Sequence, residues 1–243
     1  MTEKKYTNPA TIALHAGWRK DETTNSVTVP IHMTSSYQFD STDHAANLFA
    51  LSELGNIYSR IMNPTNAVFE ERIAALEGGV AALGLASGQA ASAYAIQNLC
   101  SNGDNFVASS HLYGGTYNQF KNPFSDMGIE VRFVDPSDPQ NFADATDDKT
   151  RAYYGEVLPN PSFQVFPLQE VADLGRPLGI PLIVDNTAAP LICRPFDHGA
   201  AIIIHSATKY IGGHGTSIGG VIVDGGDFDW EANPERQPKL NNP

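Results

Sequence analysis

Apolar residues recur along this chain in two rhythms, and the place of each rhythm predicts the order of the elements. From Asn66 onward, Phe69, Ile73 and Leu76 fall on one helical stripe, which Gly78-Gly79 stops. Short apolar runs predict strands at Asn105 to Ser109, Ile129 to Val134, Arg151 to Val157, Pro181 to Asp185 and Ile202 to Ile204. Helical pieces are predicted between them, at Thr116 to Asp126, around Phe142 and at Leu168 to Leu178. Alternation of strand and helix is the signature of βαβ units. The expected class is therefore α/β, a mostly parallel sheet flanked by helices.

The first part of the chain does not share this order. Met1 to Asp40 shows no sustained periodicity, carries Pro9, Gly17 and Pro30, and includes the Ser/Thr-rich patch TTNSVTVP, so it reads as an arm that lies across something else. A short helix is predicted over Asp43 to Leu54, stopped by Gly55, followed by the irregular connection GNIYSRIMNPTN with Tyr58 and Arg60. The expected division is an arm at 1–60 and a larger domain at 61–243.

Composition narrows the function classes. With 42% hydrophobic and 17% charged residues the chain is too apolar for disorder. No apolar run approaches the ~18 residues that a membrane helix needs. The polar start MTEKKYTNPA lacks the apolar core of a signal peptide, so a cytoplasmic protein is expected. Cys100 and Cys193 stand far apart without a CxxC pair, which offers neither a metal site nor a disulfide framework. A net charge of -12 argues against general nucleic-acid or membrane-surface binding. Any anion site must be local.

Candidate chemistry gathers in AIIIHSATKYIGGHGTSIGG, Ala201 to Gly220, where a buried strand delivers His205, Ser206, Thr208 and Lys209 to its end before a glycine-rich turn. A P-loop is excluded by order, because there the glycines precede the lysine and here Gly212, Gly213 and Gly215 follow it. A helix opening at Ser87-Gly88-Gln89 would present free N–H groups and the positive end of its dipole to a phosphate. Tyr113, Asn160 and Asp185 fall at carboxyl ends of predicted strands, where ligands of parallel sheets collect. Singly, each has an ordinary role: Tyr113 a core aromatic, Asn160 a turn residue, Asp185 an Asx cap, Tyr58 and Arg60 a turn tyrosine and a solvated arginine.

Together they meet the four demands of pyridoxal phosphate. Lys209 is an amine for the aldehyde, and Asp185 a carboxylate to keep the pyridine nitrogen protonated. Tyr113 offers an aromatic face for the ring. Ser87, Gly88, Gln89, Ser206 and Thr208 are donors for the phosphate, with Arg60 adding charge.

The runs YSRIMNPTNAVFEERIAALEGG, SGQAA, HLYGGTYNQF, VDNT and HSATKYIGGHGTSIGGVIVDGG resemble the Cys/Met-metabolism family of pyridoxal-phosphate enzymes, and within it the sulfhydrylases of O-acetylhomoserine, from about Thr11 to Trp230. The resemblance implies the large domain of a fold type I, aspartate-aminotransferase-like transferase. It also implies γ-replacement on O-acetylhomoserine with sulfide or methanethiol, giving homocysteine or methionine plus acetate in methionine biosynthesis. A cystathionine γ-synthase, a γ-lyase and a non-catalytic cofactor-binding fragment stay open as alternatives. By the same likeness Lys209 would form the Schiff base, Asp185 would pair with the pyridinium, Asn160 would donate to the ring oxygen, and Tyr113 would stack and serve as a possible acid. Ser87, Gly88, Gln89, Ser206 and Thr208 would bind phosphate. Tyr58 and Arg60, on an arm reaching a neighbouring subunit, would approach that subunit's phosphate in a homodimer or homotetramer. The family's usual methionine after SG is Gln89 here, and the usual aromatic after VDNT is Ala188. Members of the family continue into a smaller C-terminal domain carrying the arginine for the substrate carboxylate, which is expected to lie beyond Pro243.

Overall fold

The computed structural model of the protein describes residues 6–241. It contains two compact units, Met1–Ala75 and Leu76–Pro243.

In the first unit, α1 (Pro9–His15) lies inside the stretch that the sequence led us to expect as irregular. Asn8 caps it, its side chain accepting from the Ala10 N–H at 2.9 Å, and Pro9 supplies a preset φ for the first turn. Pro9, which counted toward an irregular arm, thus opens a helix. Helix α2 (Thr42–Phe49) is capped by Ser41 and stops before the predicted end, where Leu51 takes φ +56. Asn63 opens α3 (Pro64–Glu77): its amide nitrogen donates to His32 O at 2.9 Å and its oxygen accepts from the Thr65 N–H at 2.9 Å. Thr65 Oγ1 in turn donates to Pro30 O, so the arm is folded onto the start of α3.

The second unit is built on a seven-stranded sheet. Its strands are β1 (Ala81–Leu85), β2 (Asn105–Ser109), β3 (Glu130–Val134), β4 (Thr150–Glu156), β5 (Leu182–Asp185), β6 (Ile202–His205) and β7 (Gly220–Asp224). In space they follow the order β1-β7-β6-β5-β4-β2-β3. The pairs β3/β2, β2/β4, β4/β5 and β5/β6 are parallel, while β7 runs antiparallel to both β6 and β1. The mostly parallel α/β expectation holds, with an antiparallel margin that the sequence did not reveal.

Both faces of the central strands are buried, and side-chain alternation sorts them. Phe106, Ala108, Ala152, Tyr154, Ile183, Ile202 and Ile204 pack on one side with Ala91, Ala95 and Ile96 of α4 (Gly88–Leu99). Val107, Tyr153, Leu182 and Val184 pack on the other with Val171 and Ala172 of α7 (Leu168–Gly175). Small residues on α4 let that helix approach the sheet closely. Helix α5 (Gly114–Gln119) passes into a wider π-helical turn, Phe120–Phe124, which contains Pro123. Proline has no N–H for the regular ladder, and the turn widens there. Helices α6 (Gln140–Asp144) and α8 (Pro238–Asn241) complete the unit. No helix among the described residues is long and apolar enough to cross a membrane.

Candidate active site

Three parallel strands end side by side and set the site. Register places Glu156 of β4 beside Asp185 of β5, and Asp185 beside Ile204 of β6. Alternation puts Glu156 and Asp185 on the face occupied by Tyr154, Ile183 and α4. From there the contacts run in a closed ring. Asp185 Oδ1 accepts from the Thr187 N–H at 2.9 Å, and Thr187 Oγ1 accepts from the Ser206 N–H at 2.7 Å. Ser206 lies against Gly88, where a Cβ would come within 2.6 Å of the Ser206 Cβ. Next to Gly88, Gln89 Nε2 donates to Thr116 Oγ1 at 2.9 Å. The Thr116 hydroxyl and the Tyr113 N–H, the latter at 2.9 Å, both donate to Glu156 and close the ring beside Asp185.

Ser87 caps α4, its hydroxyl oxygen accepting from the Ala90 N–H at 3.1 Å, so the first N–H groups of the helix have no carbonyl a turn behind them. Beside this turn stands Gly220, whose absent Cβ would lie 2.0 Å from Ser87 O. Only glycine fits, because the neighbour is backbone and cannot rotate away. Gly220→Ala is expected to part β7 from the start of α4 and to cost about 2–3 kcal/mol, or roughly 5–10 °C in Tm, by thermal denaturation. A Tm within a degree or two of the parent would show that the junction yields freely.

Lys209 follows Ser206 in a tight turn, Lys209 N–H to Ser206 O at 3.1 Å and Gly213 N–H to Lys209 O at 2.8 Å. Its ammonium group has no hydrogen-bond or ion-pair partner among the described residues, and the side chain is exposed. The Thr208 hydroxyl donates to Gly219 O at 3.3 Å and accepts from Gly219 N–H at 3.1 Å, closing the base of the glycine-rich loop.

Tyr113 is half exposed, at 50%, and is therefore not a core aromatic. Asn160 is exposed in the connection after β4, and no hydrogen bond joins it to the ring among the described residues. Tyr58 and Arg60 belong to the first unit, where the guanidinium lies 5.4 Å from the centre of the Tyr58 ring.

Burial dominates the electrostatics of the acid pair. It pushes Asp185 above the ordinary carboxylate range, opposed by the hydroxyl and N–H of Thr187 and by the field of His205. Burial and then the neighbouring Asp185 push Glu156 up to about 8, opposed by the hydrogen bonds from Tyr113 and Thr116. Like charges in one buried place cannot both ionise freely. Both carboxyls are raised, and Glu156, at about 8, holds a proton at neutral pH.

On the opposite face Glu77 Oε1 meets His205 Nε2 at 2.7 Å and accepts from Asn186 Nδ2 at 3.4 Å. All three side chains are buried, and Asn186 is further tied to Cys193 O at 3.0 Å. This cluster sits directly behind the strand ends that carry Asp185 and Ser206.

Glu156, Thr187, Thr116 and the Glu77 cluster were not singled out from the sequence. Thr187 stood beside Asp185 in VDNT. Glu156 stood one residue before the end of a predicted strand and three before a Pro-Asn-Pro turn, and its meaning depends on the strand beside it.

The residues present fit pyridoxal phosphate. An unpartnered amine, a half-buried carboxylate, a half-exposed aromatic ring and a helix start with unsatisfied N–H groups stand at neighbouring strand and helix ends.

Comparison with known proteins agrees with this geometry. Residues 10–240 match the profile of the family described as Cys/Met metabolism PLP-dependent enzymes. The chain is 55% identical over 223 residues to O-acetyl-L-homoserine sulfhydrylase of Leptospira meyeri, covering 91% of this chain and 50% of that protein. It is 49% identical to the homocysteine/cysteine synthase of Saccharomyces cerevisiae, covering 96% of this chain and 53% of that protein. A crystal structure of a putative O-acetylhomoserine (thiol)-lyase from Campylobacter jejuni superposes with a TM-score of 0.92 at 38% identity, covering 96% of this chain and 57% of that one. That structure contains N'-pyridoxyl-lysine-5'-monophosphate. The chain spans about half the length of the curated relatives it matches. With a ring of strand-end side chains beside an unpartnered lysine, on a sheet shared with these proteins, and a family profile matched over residues 10–240, the chain belongs to the Cys/Met metabolism family of PLP-dependent enzymes.

Proposed function

We propose that the chain forms the cofactor-binding part of an enzyme that replaces the acetoxy group of O-acetylhomoserine with sulfide or methanethiol, yielding homocysteine or methionine and acetate. The observation that carries this reading is the closed ring of contacts with the unpartnered Lys209 at its edge. Relatives named for the sulfhydrylase and homocysteine synthase activities support the choice of substrate.

When bound, pyridoxal phosphate supplies a ring that withdraws electrons from the carbon next to the substrate's amino group. Lys209 Nζ would hold the cofactor aldehyde and, once freed by the substrate's amino group, would take the Cα proton and then one from Cβ so that acetate can leave Cγ, returning both after the thiol has added there. Asp185 keeps a proton on the ring nitrogen. Ser87, Gly88, Gln89, Ser206 and Thr208 donate to the phosphate, Tyr113 covers the ring and excludes water from one face, and Asn160 donates to the ring oxygen.

Incubation with O-acetylhomoserine and sulfide should release homocysteine and acetate in equal amounts. Release of a 2-oxo acid without any thiol would replace this reading by that of a γ-lyase.

The arm, 1–60, is assigned to contact with a neighbouring subunit, and 61–243 to the cofactor domain. Met33 at 96% and Leu54 at 92% exposure favour an arm that is covered in an assembly. Arg60, preset over Tyr58, would bring its guanidinium to a partner's phosphate. Arg60→Ala should weaken cofactor affinity by about tenfold, roughly 1.4 kcal/mol. Mixing Arg60→Ala with Lys209→Ala chains should restore part of the activity, since mixed dimers hold one intact site. A mixture as inactive as its parents would show that each chain builds its own.

A further inference from the structure

We propose that Glu156 is a positioning residue of the cofactor site: its carboxyl fastens the backbone of Tyr113 to the strand beside Asp185 and shares one proton with Asp185 until a cation docks against that pair. The inference rests on the cofactor reading above for what docks, but the apoprotein tests its first half alone.

The geometry has three parts. Glu156 is 6% exposed and lies beside Asp185 in register, on the same face of adjacent parallel strands whose spacing is about 4.8 Å. Its Oε1 accepts from the Tyr113 N–H at 2.9 Å, and Tyr113 is the residue from which α5 starts. The Thr116 hydroxyl donates to the same carboxyl and accepts from Gln89 at the start of α4. One side chain therefore joins the ring-covering tyrosine, the phosphate-end helix and the carboxylate for the ring nitrogen.

The groups that face Glu156 are few. From β5 comes Asp185, from β4 Tyr154, whose hydroxyl is 2.9 Å from Ser92 Oγ, and from the start of α5 come Tyr113 and Thr116. Helix α4 offers the neutral Gln89 and Ser92, and His205 acts on Asp185 from β6. Among the described residues no ion pair to Glu156 offsets the acid pair. A cation must therefore come from outside. Docking of a protonated ring nitrogen at Asp185 favours the ionised form of Glu156, whose O–H bond breaks and whose proton passes to solvent.

Three measurements test this. In apoprotein labelled with 13C at the glutamate carboxyls, one signal should titrate near pH 8, and saturation with pyridoxal phosphate at pH 7 should move it to its ionised position. If every glutamate signal titrates below about pH 6, the shared proton does not exist. By calorimetry in buffers of different ionisation enthalpy, Glu156→Gln should release about one proton fewer than the parent on binding at pH 7, with the difference vanishing above about pH 9. Equal proton counts in both proteins at pH 7 would overturn the proposal. At pH 9.5 Glu156→Ala should bind the cofactor at least tenfold more weakly than Glu156→Gln, which lacks the charge as alanine does but keeps an oxygen for the Tyr113 N–H. Equal affinity in the two variants would remove the positioning role. A parent that binds no pyridoxal phosphate would overturn the cofactor reading and leave the carboxyl titration to decide the first half.

Discussion

Lys209→Ala is expected to fold as the parent does and to lose covalent attachment of the cofactor altogether. The side chain is exposed and without a partner among the described residues, so its removal should change Tm by no more than a degree or two. The backbone turn that presents it is held independently, by Ser206 O and Gly213 N–H. On the proposed function, loss of the amine would remove both the attachment point and the base at Cα, and turnover should fall by at least about three decades, roughly 4 kcal/mol. The parent, reduced with borohydride, should give one pyridoxylated peptide by mass spectrometry, containing Lys209. A pyridoxylated peptide from the alanine variant in equal yield would assign the chemistry to another lysine.

Asp185→Asn should separate activity from stability. The amide keeps an oxygen for the Thr187 N–H but cannot hold a proton on the ring nitrogen, so turnover is expected to drop by two or more decades, about 2.7 kcal/mol or above. The same change takes one carboxyl out of a buried acid pair, and the apoprotein should be at least as stable as the parent at pH 7. The pH dependence follows from proton binding. Glu156, raised from 4.5 to about 8, keeps its proton in the folded state where the unfolded chain has lost it. Its contribution to stability is therefore fully present below about pH 4.5 and is lost as pH rises through about 8. With Asp185 neutral, one cause of the raised Glu156 value disappears, and this decline should shift to lower pH and become smaller. Denaturant melts of parent and variant between pH 5 and 9 would show it; identical slopes would mean that the two carboxyls do not sense each other.

What could be read from the sequence depended on how local the determinant was. The strands carrying Asp185 and Lys209 are continuous apolar runs, and their ends fix which residues face a ligand, so PLIVD and IIIHSATK were legible. The start of α4 was legible because Ser87 caps it with its own side chain. Glu156 was not, since a lone acid at a strand end reads as solvated until β5 is placed beside β4. Nor was the Glu77–His205–Asn186 cluster, whose members come from three separate segments. Strands β1 and β7 were missed for a similar reason: AALGL is small and carries no clear alternation, and GVIVD becomes a strand by pairing with residues far from it. The reach of Tyr58 and Arg60 to a neighbouring subunit and the ring-oxygen role of Asn160 came from family likeness, and the ring of contacts does not include these three residues.

The antiparallel margin of the sheet sets when this site can exist during synthesis. Ala81 pairs with Asp224 and Leu85 with Gly220, so β1 leaves the ribosome long before β7, its strand neighbour among the described residues. For that interval its backbone edge is unpaired, and the first turn of α4 lacks both Gly220 and Ser206 to rest on. Closure of so long a loop makes this the slow part of the second unit's folding, and the nascent chain is exposed to aggregation until it is done. The proposed phosphate cradle is thus a late feature of this unit, and pyridoxal phosphate supplied during translation would meet it only after Asp224 has emerged.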